Sequence, residues 1–258
     1  MPAGWRWSAL SFLDAPARQA ATLRETGHRP WPLPEGGWAQ AQTWEELLFA
    51  HWEVELESVR AELPAGLEVD TFGGHAYLGL TPFRVTNLRL RGMPPLPILS
   101  SFWELNCRTY VSHGGKPGIW FFSLDASSRF AVEGARRLYK LPYFHARMSG
   151  PPRFSSVRAE GKEERVWESV YAPTGTASPA SPQTLEHFLS ERYCLYAVDE
   201  ADRLHRAEIH HLPWQLQDVK TEVLRNNVSP KGLDVDGEPH VMFSARQDVV
   251  IWPLQAVA

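Results

Sequence analysis

The chain has 258 residues, 43% of them hydrophobic, which is enough for one large domain with a substantial core. Its formal net charge is −4 at pH 7 and it contains no basic tract, so nucleic acid is excluded as an expected partner. It has neither an apolar signal segment at its start nor an apolar run of about 18 residues, so we expect a cytoplasmic protein without a membrane partner.

Residues 1–40 are predicted to form a peripheral N-terminal arm, and residues 41–258 the main domain. Within the arm, a short helix is expected around Pro16–Glu25, with Asp14 as its cap. The arm carries four tryptophans, too many for a free tail. We therefore expect it to pack across the domain or against a neighbouring subunit, which leaves a homo-oligomer as an open alternative.

The next segment is predicted to contain a helix, a hairpin and a proline-rich loop. The helix should end at Pro64, and the hairpin should run from Val69 through Gly73 and Gly74 into HAYLGLTPFRV. The loop RLRGMPPLPILSS is too irregular for a strand or a helix. It either covers the mouth of a cavity or crosses the surface.

The stretch from Phe102 to Met148 is predicted to form a hairpin followed by a helix, and it carries the main functional signal. In its first strand every second residue is polar: Glu104, Asn106, Arg108 and Tyr110. The other face is mainly apolar. Such a strand either borders water or lines a polar cavity inside a barrel, and we favour the cavity.

The rest of the chain is predicted to add strands and short helices. A helix begins at Ser127 or Ser128, a strand follows Pro142, and RFSSVRAEGKEERVWESVYAP alternates as a hairpin that turns at Glu160 and Gly161. TGTASPASPQ is predicted to be a surface loop, TLEHFLSERY a short helix, YCLYAVDE and RLHRAEIHHLPW strands, and LQDVKTEVLRNN a last helix. About ten strands and four short helices make a β-dominated α+β domain, whose strands we expect to close into a barrel.

Five motifs in this order resemble the YqjF-like family of uncharacterised bacterial proteins, in the acetoacetate-decarboxylase-like superfamily. They are FWELNCRTYV, IWFFSLDASSRFAV, LYKLPYFHARM, FLSERYCLY and HHLPWQLQ, and the resemblance covers about residues 40–255. It implies a β-barrel with flanking short helices and an internal cavity, which in the superfamily holds small oxo-acid substrates. It implies no known activity for the family itself.

The resemblance also bears on the chemistry. Decarboxylases of the superfamily carry two adjacent lysines after a proline, the first of which forms a Schiff base. In the matching run of this chain, Tyr143 and Phe144 follow Pro142 in those two positions. Lys140 is the only nearby substitute and more simply complements the dipole at a helix C-terminus. We therefore do not expect a Schiff-base decarboxylase.

Candidate site residues follow from the polar strand face and from the superfamily's lysine site. Glu104 could act as a general acid or base, and Arg108 could clamp a carboxylate, with Asn106 and Tyr110 beside them; the alternative is a solvated outer face. Tyr143 and His145 are two residues apart and could transfer a proton to an enolisable substrate, or merely hold the barrel together.

Arg192 is a second candidate for anion binding, with a surface ion pair as the alternative. His205, His210 and His211 do not have the spacing of metal ligands, so neither a metal nor a cofactor is expected. The sequence predicts a pocket for a small oxo-acid or carboxylate, with lyase, hydratase or isomerase chemistry if the protein is an enzyme. The alternative function is non-catalytic binding or sensing of a small molecule.

Overall fold

The computed structural model describes residues 11–96, 100–160, 163–233 and 235–257. Its four α-helices are α1 (Ser11–Ala21), α2 (Leu56–Ala61), α3 (Arg129–Tyr139) and α4 (Leu185–Ser190). The strands of the first half are β1 (Gln40–Val54), β2 (Glu68–Val69), β3 (Ala76–Leu90), β4 (Phe102–His113) and β5 (Lys116–Ala126). They are followed by β6 (Tyr143–His145), β7 (Arg147–Ser149), β8 (Arg153–Glu160), β9 (Glu163–Pro179), β10 (Cys194–Val198), β11 (Leu204–His211), β12 (Gln215–Asn226), β13 (His240–Ile251) and β14 (Gln255–Ala256).

Seven strands form a closed ring in the order β13, β1, β3, β4, β5, β10 and β11, and a pairing between β11 and β13 completes it. Neighbouring strands in the ring are antiparallel except β5 and β10, which are parallel. β12, β9, β8 and β7 continue from β13 as a further run of antiparallel strands. The fold is therefore β-dominated, as the sequence predicts.

The apolar face of β4 packs against these further strands, which determines the direction of its polar face. Leu105 and Cys107 are buried in one cluster with Phe154 of β8 and Trp167 of β9. Trp103 also meets the edge of Phe154, with 5.8 Å between ring centroids. Because successive side chains of a strand point to opposite faces, the intervening polar residues face the other way, into the ring.

Two predictions for the second half of the chain are wrong. LQDVKTEVLRNN is not a helix but lies in β12, which pairs with β9. Its exposed Asp218, Lys220 and Glu222 alternate with partly buried Val219 and Val223, which is strand periodicity. Residues 174–179 of the predicted surface loop are likewise the end of β9, because β12 pairs with β9 as far as Pro179, whereas residues 180–183 lie outside any strand or helix.

The first half also differs from the prediction. Residues 40–54, for which the sequence predicts no strand, form β1, which lies between β13 and β3 in the ring. The expected hairpin at Gly73 and Gly74 is reduced to a bridge between Phe72 and His75, because β2 pairs with β4 instead. The hairpin of β8 and β9 is confirmed, although part of its predicted turn, at residue 161, lies outside the described residues.

The N-terminal arm packs on the ring. α1 begins earlier than predicted, and further along the arm Arg29 and Trp31 both donate hydrogen bonds to the carboxylate of Glu208 on β11.

At the predicted start of α3, the hydroxyl of Ser128 accepts a hydrogen bond from the backbone of Ala131, which confirms the expected cap of this helix. Among the described residues, no helix has both the length and the hydropathy needed to cross a membrane.

Candidate functional site

A pocket of about 340 Å³ is lined by residues from all seven strands of the ring, together with α3 and the loop after β3. Polar side chains of β4 run along it. Starting from Phe102, the pocket-lining residues of this strand are Glu104, Asn106 and Arg108. All three are buried. The face of β4 that the sequence singled out therefore lines a pocket and not the solvated surface.

The two ends of the pocket differ in character. Near Phe102 the lining includes Met93, Phe130 and Leu138, whose side chains are 48%, 68% and 63% exposed, so this end is the mouth. At the opposite end, beyond Arg108, Tyr110 is fully buried and is not in the lining. Tyr110 therefore lies outside the pocket lining, and its predicted contact with a substrate stays a prediction.

Glu104 is held as a neutral acid near pH 7. Burial raises the pKa of this carboxyl to about 8, and hydrogen bonds from Tyr143 and Asn106 only partly offset the effect. The hydroxyl of Tyr143 donates to Oε1 of Glu104 across 3.1 Å. Burial and the neighbouring carboxyl raise the pKa of Tyr143 well above its usual value, so the phenol keeps its proton. The pair can hold and move a proton inside the pocket.

Arg108 is a buried cation without an acidic partner in the described part of the chain. Arg108 is only 6% exposed to solvent, and its Nη2 donates a hydrogen bond to the backbone carbonyl of Leu189 across 3.4 Å. The guanidinium lies over the rings of Phe49 and Tyr110, and its Nε has no hydrogen-bond partner there. A buried charge that lacks a counter-ion favours binding of an anion.

Arg192 also lines the pocket, but its charge is compensated. Its Nη1 forms an ion pair with Asp70, and its Nε donates to the carbonyl of Phe188 across 2.8 Å. The guanidinium lies over the ring of Phe188, 4.1 Å from the centroid. Of the two predicted anion-binding arginines, Arg192 therefore has an acidic partner, and Arg108 has none among the described residues.

His51 is a neighbour that sequence reasoning missed. Its Nε2 lies 2.7 Å from the hydroxyl of Tyr110, which itself donates to the carbonyl of Leu189, so Nε2 carries the proton. Burial, then the charges of Arg108 and His240, hold the pKa of His51 well below its usual value and keep the ring neutral. The sequence signal for this contact was Gly79, because a glycine inside a strand often marks a close approach of another group. In the structure, a Cβ at Gly79 would lie 2.9 Å from the ring of His51.

His145 does not join Tyr143 in the pocket lining. Tyr143 lines the pocket, whereas His145 is exposed and pairs with Ala126, the last residue of β5. The wall of the ring ends there, so the side chain meets solvent. Two-residue periodicity sets the face to which a side chain points, but its burial also requires neighbouring residues on that face.

The positions of the superfamily's two lysines are occupied as the sequence indicates. Tyr143 lines the pocket, and Phe144 packs under the guanidinium of Arg158, 4.1 Å from the ring centroid. Lys140 is exposed in a left-handed conformation after α3, with φ of 55°. The described pocket lining contains no lysine, so the structure offers no amine for an imine.

The histidines after β10 have separate neighbours. His205 contacts Asp199, His210 contacts the carbonyl of Thr22, and His211 lines the pocket. Within the residues that the structure covers, no group of three or more histidine, cysteine, aspartate or glutamate side chains is suited to holding a metal ion.

Sequence comparisons with known proteins identify the family of the chain. Residues 41–248 match the model of DUF2071, described as an uncharacterized conserved protein family. The uncharacterized protein YqjF of Bacillus subtilis is 40% identical over 229 residues, which are 86% of this chain and 94% of that protein.

Solved structures of similar fold include two groups of enzymes. The enduracididine biosynthesis enzyme MppR complexed with pyruvate has a TM-score of 0.62 at 13% identity, covering 90% of this chain and 94% of that one. Acetoacetate decarboxylase from Legionella pneumophila has a TM-score of 0.59 at 12% identity, covering 90% of this chain and 93% of that one. At these identities the likeness establishes a shared fold and nothing about the reaction.

Proposed function

The chain belongs to the DUF2071 family of uncharacterized conserved proteins, and we propose that its ring is a barrel whose interior binds an organic acid bearing an oxo group. The carboxylate of the ligand pairs with Arg108, and Glu104 transfers a proton at the carbon next to the oxo group. The single observation that carries the proposal is the buried guanidinium of Arg108, which faces the pocket without an acidic partner among the described residues.

The charge of Arg108 calls for an anionic ligand. The planar fork of a guanidinium matches a carboxylate with two parallel hydrogen bonds, and such bonds are strong where water is excluded. Because Glu104 is mainly neutral at pH 7, it does not repel the carboxylate. The MppR structure that resembles this fold was solved with pyruvate, also an oxo-acid, which supports this ligand class.

Asn106 supplies a further polar contact between Arg108 and Glu104. Its Oδ1 is buried and has no hydrogen-bond partner in the part of the chain that the structure describes. An amide oxygen in this condition can accept a hydrogen bond from a hydroxyl group of the ligand, including the hydroxyl of an enol. The polar side chains of Glu104, Asn106 and Arg108 therefore suit an organic acid that can form an enol.

The reaction is proton transfer to and from carbon. Ionised Glu104 takes a proton from the carbon beside the carbonyl, the C–H electron pair forms the carbon–carbon double bond, and the carbonyl pair moves onto oxygen to give an enolate. Once protonated Glu104 has exchanged its proton with solvent, it protonates the same carbon, the carbonyl re-forms and the ligand carries a solvent-derived hydrogen. With a pKa of about 8, about a tenth of Glu104 is ionised at pH 7.

A direct test is hydrogen exchange on 2-oxo acids followed by proton NMR in D₂O. We expect the protein to accelerate loss of the signal from the carbon next to the carbonyl, and Glu104→Gln to abolish this acceleration while leaving the ligand-induced rise in melting temperature. Exchange that is the same with and without the protein, together with no thermal shift from any oxo-acid, would refute the proposal.

A second candidate function is non-catalytic binding on the same fold. It is favoured by the absence of lysine from the described pocket lining, because the imine chemistry of the superfamily has lost its nucleophile. The same experiment separates the two functions. Ligands that raise the melting temperature of the protein, yet never exchange faster in its presence, would establish a binding protein.

A further inference from the structure

We infer that the ligand of this pocket is an acid with an extended apolar tail, of about ten to twelve carbons, and not a three- or four-carbon oxo-acid. This inference rests on the proposed function, because it takes Arg108 as the site of the carboxylate. Three independent features support it: the volume of the pocket, the chemistry of its walls and the character of its mouth.

The volume is too large for the smallest oxo-acids. A protein cavity of about 150 Å³ holds benzene, which has six non-hydrogen atoms. Scaling that ratio to the 340 Å³ of this pocket gives about 13 non-hydrogen atoms, roughly the size of decanoate or dodecanoate. Pyruvate, with six such atoms, would leave more than half of the space unfilled, and unfilled apolar space forfeits contact energy.

The walls beyond the polar side chains of β4 are mainly apolar, although Gln40, Gln42, Thr81, Arg89, Ser100, Ser190, Arg192 and His211 also line them. The apolar residues are contributed by several strands and include Leu47, Phe83, Phe121, Leu195, Ile209 and Trp214. A surface of this kind gains nothing from a small polar ligand, whereas a hydrocarbon chain removes it from water. Polar side chains are a minority of the lining, which is the arrangement expected when most of the ligand is apolar.

The mouth continues this apolar surface to the outside. α3 presents Phe130, Gly134 and Leu138 at spacings of four residues, so that one face of the helix lines the pocket. Phe130 and Leu138 are nevertheless well exposed, as is Met93 in the loop after β3. Such a rim would be unfavourable around a purely polar ligand and suits a chain that passes through it.

The order of residues along β4 orients the ligand. Phe102 lies at the mouth and Arg108 lies three alternate positions deeper, about 20 Å along the strand. A carboxylate bound at Arg108 therefore directs its tail past Glu104 and toward α3.

The test is a calorimetric titration of the full-length protein with straight-chain saturated acids, from butanoate to tetradecanoate, at pH 7. We expect affinity to rise about fourfold for each added methylene, until the pocket is filled at ten to twelve carbons, and then to level off or fall. Alkanols of matched length should bind the parent protein more weakly than the acids do. In the Arg108→Gln variant, we expect acids and alkanols of the same length to bind equally well.

A variant pair locates the tail. Gly134→Leu adds a side chain where nothing lies within 4 Å of the added Cβ, so the variant should fold and should shift the best chain length to shorter acids. Arg137→Leu places the same side chain on the solvent side of α3, where the residue is 81% exposed, and should leave the optimum unchanged. Circular dichroism and melting temperature verify that both variants are folded.

The outcomes separate this inference from the function on which it rests. Affinity that does not depend on chain length, with 2-oxobutanoate still bound through Arg108, overturns the tail and leaves the proposed function intact. An unchanged optimum in Gly134→Leu also overturns the tail. Failure of every acid to bind, whatever its length, refutes the proposed function as well.

Discussion

The phenol of Tyr143 donates a hydrogen bond to Oε1 of Glu104 across 3.1 Å, and both groups keep their protons near neutral pH. Glu104 belongs to β4 and Tyr143 to β6, so the contact joins residues 39 positions apart in the chain. Because Oε1 accepts this bond, we place the proton of Glu104 on the other carboxyl oxygen. The predictions below test this pair and its surroundings.

Glu104→Gln should change how stability depends on pH. The carboxyl titrates near 4.5 in an unfolded chain but at about 8 in the fold, so between these values the folded protein keeps a proton that the unfolded chain has lost. The free energy of unfolding therefore falls as pH rises through this window, and the glutamine variant escapes the loss. We expect the variant to gain roughly 2–5 kcal/mol relative to the parent at pH 9 and little at pH 4.

Denaturant unfolding at both pH values measures this difference. Glu57→Gln is a suitable control because Glu57 is highly exposed on α2, and its variant should follow the parent at each pH. A Glu104→Gln protein whose stability relative to the parent is the same at pH 4 and pH 9 would show that Glu104 titrates normally.

Tyr143→Phe should shift the pH dependence of proton exchange. The hydrogen bond from this phenol stabilises ionised Glu104 and so lowers its pKa. Without it the pKa of Glu104 rises further above 8, and we expect the midpoint of the exchange rate of a 2-oxo acid to move to higher pH. Tyr139→Phe removes a phenol from another pocket-lining residue and should leave the midpoint in place. A midpoint that moves to lower pH in Tyr143→Phe would contradict the assignment.

Arg108→Gln should reduce ligand affinity and leave the melting temperature in place, whereas Arg192→Gln should mainly lower the melting temperature. The first removes the cation proposed to hold the carboxylate, so affinity for a 2-oxo acid should fall by at least about 30-fold, on the order of 2–5 kcal/mol. Its melting temperature should not fall, because no described acidic group loses a partner. The second leaves Asp70 without its ion pair and should lower the melting temperature more than the affinity. The reverse pattern would assign the carboxylate to Arg192.

His145→Ala should leave ligand affinity and exchange rate within about twofold of the parent. The side chain is exposed and lies outside the pocket lining, so its removal uncovers nothing. Calorimetry and NMR exchange on the same preparation provide the measurement. A tenfold loss of exchange in this variant would show that His145 enters the site when a ligand is bound.

Borohydride reduction in the presence of pyruvate should yield no covalent adduct, because the described lining of the pocket contains no lysine. Intact-mass spectrometry detects an adduct, and peptide mapping locates it. Modification at Lys140, which is exposed after α3, would mean that this amine reaches the pocket and that imine chemistry is retained.

Much of the site was visible in the sequence because strand periodicity is local. The polar positions of β4 could be read from their alternation alone, and the position of Tyr143 came from its place after Pro142 in the resemblance. The serine cap of α3 was equally local, since a cap involves residues only three apart. The helix predicted over residues 216–227 was wrong because short apolar spacings fit either the helix or the strand period until a partner strand is known.

By itself, the sequence determined a β-dominated chain, a strand with one polar face and a site without the superfamily's lysines. Only the tertiary structure decided that this face lines a pocket, because β8 and β9 cover the opposite face of β4, and strands far apart in the sequence supply that cover. It also separated Arg108 from Arg192 through the distant Asp70, and His145 from Tyr143 through the end of β5. Charge compensation and burial depend on contacts between distant segments, and periodicity within one segment carries no information about them.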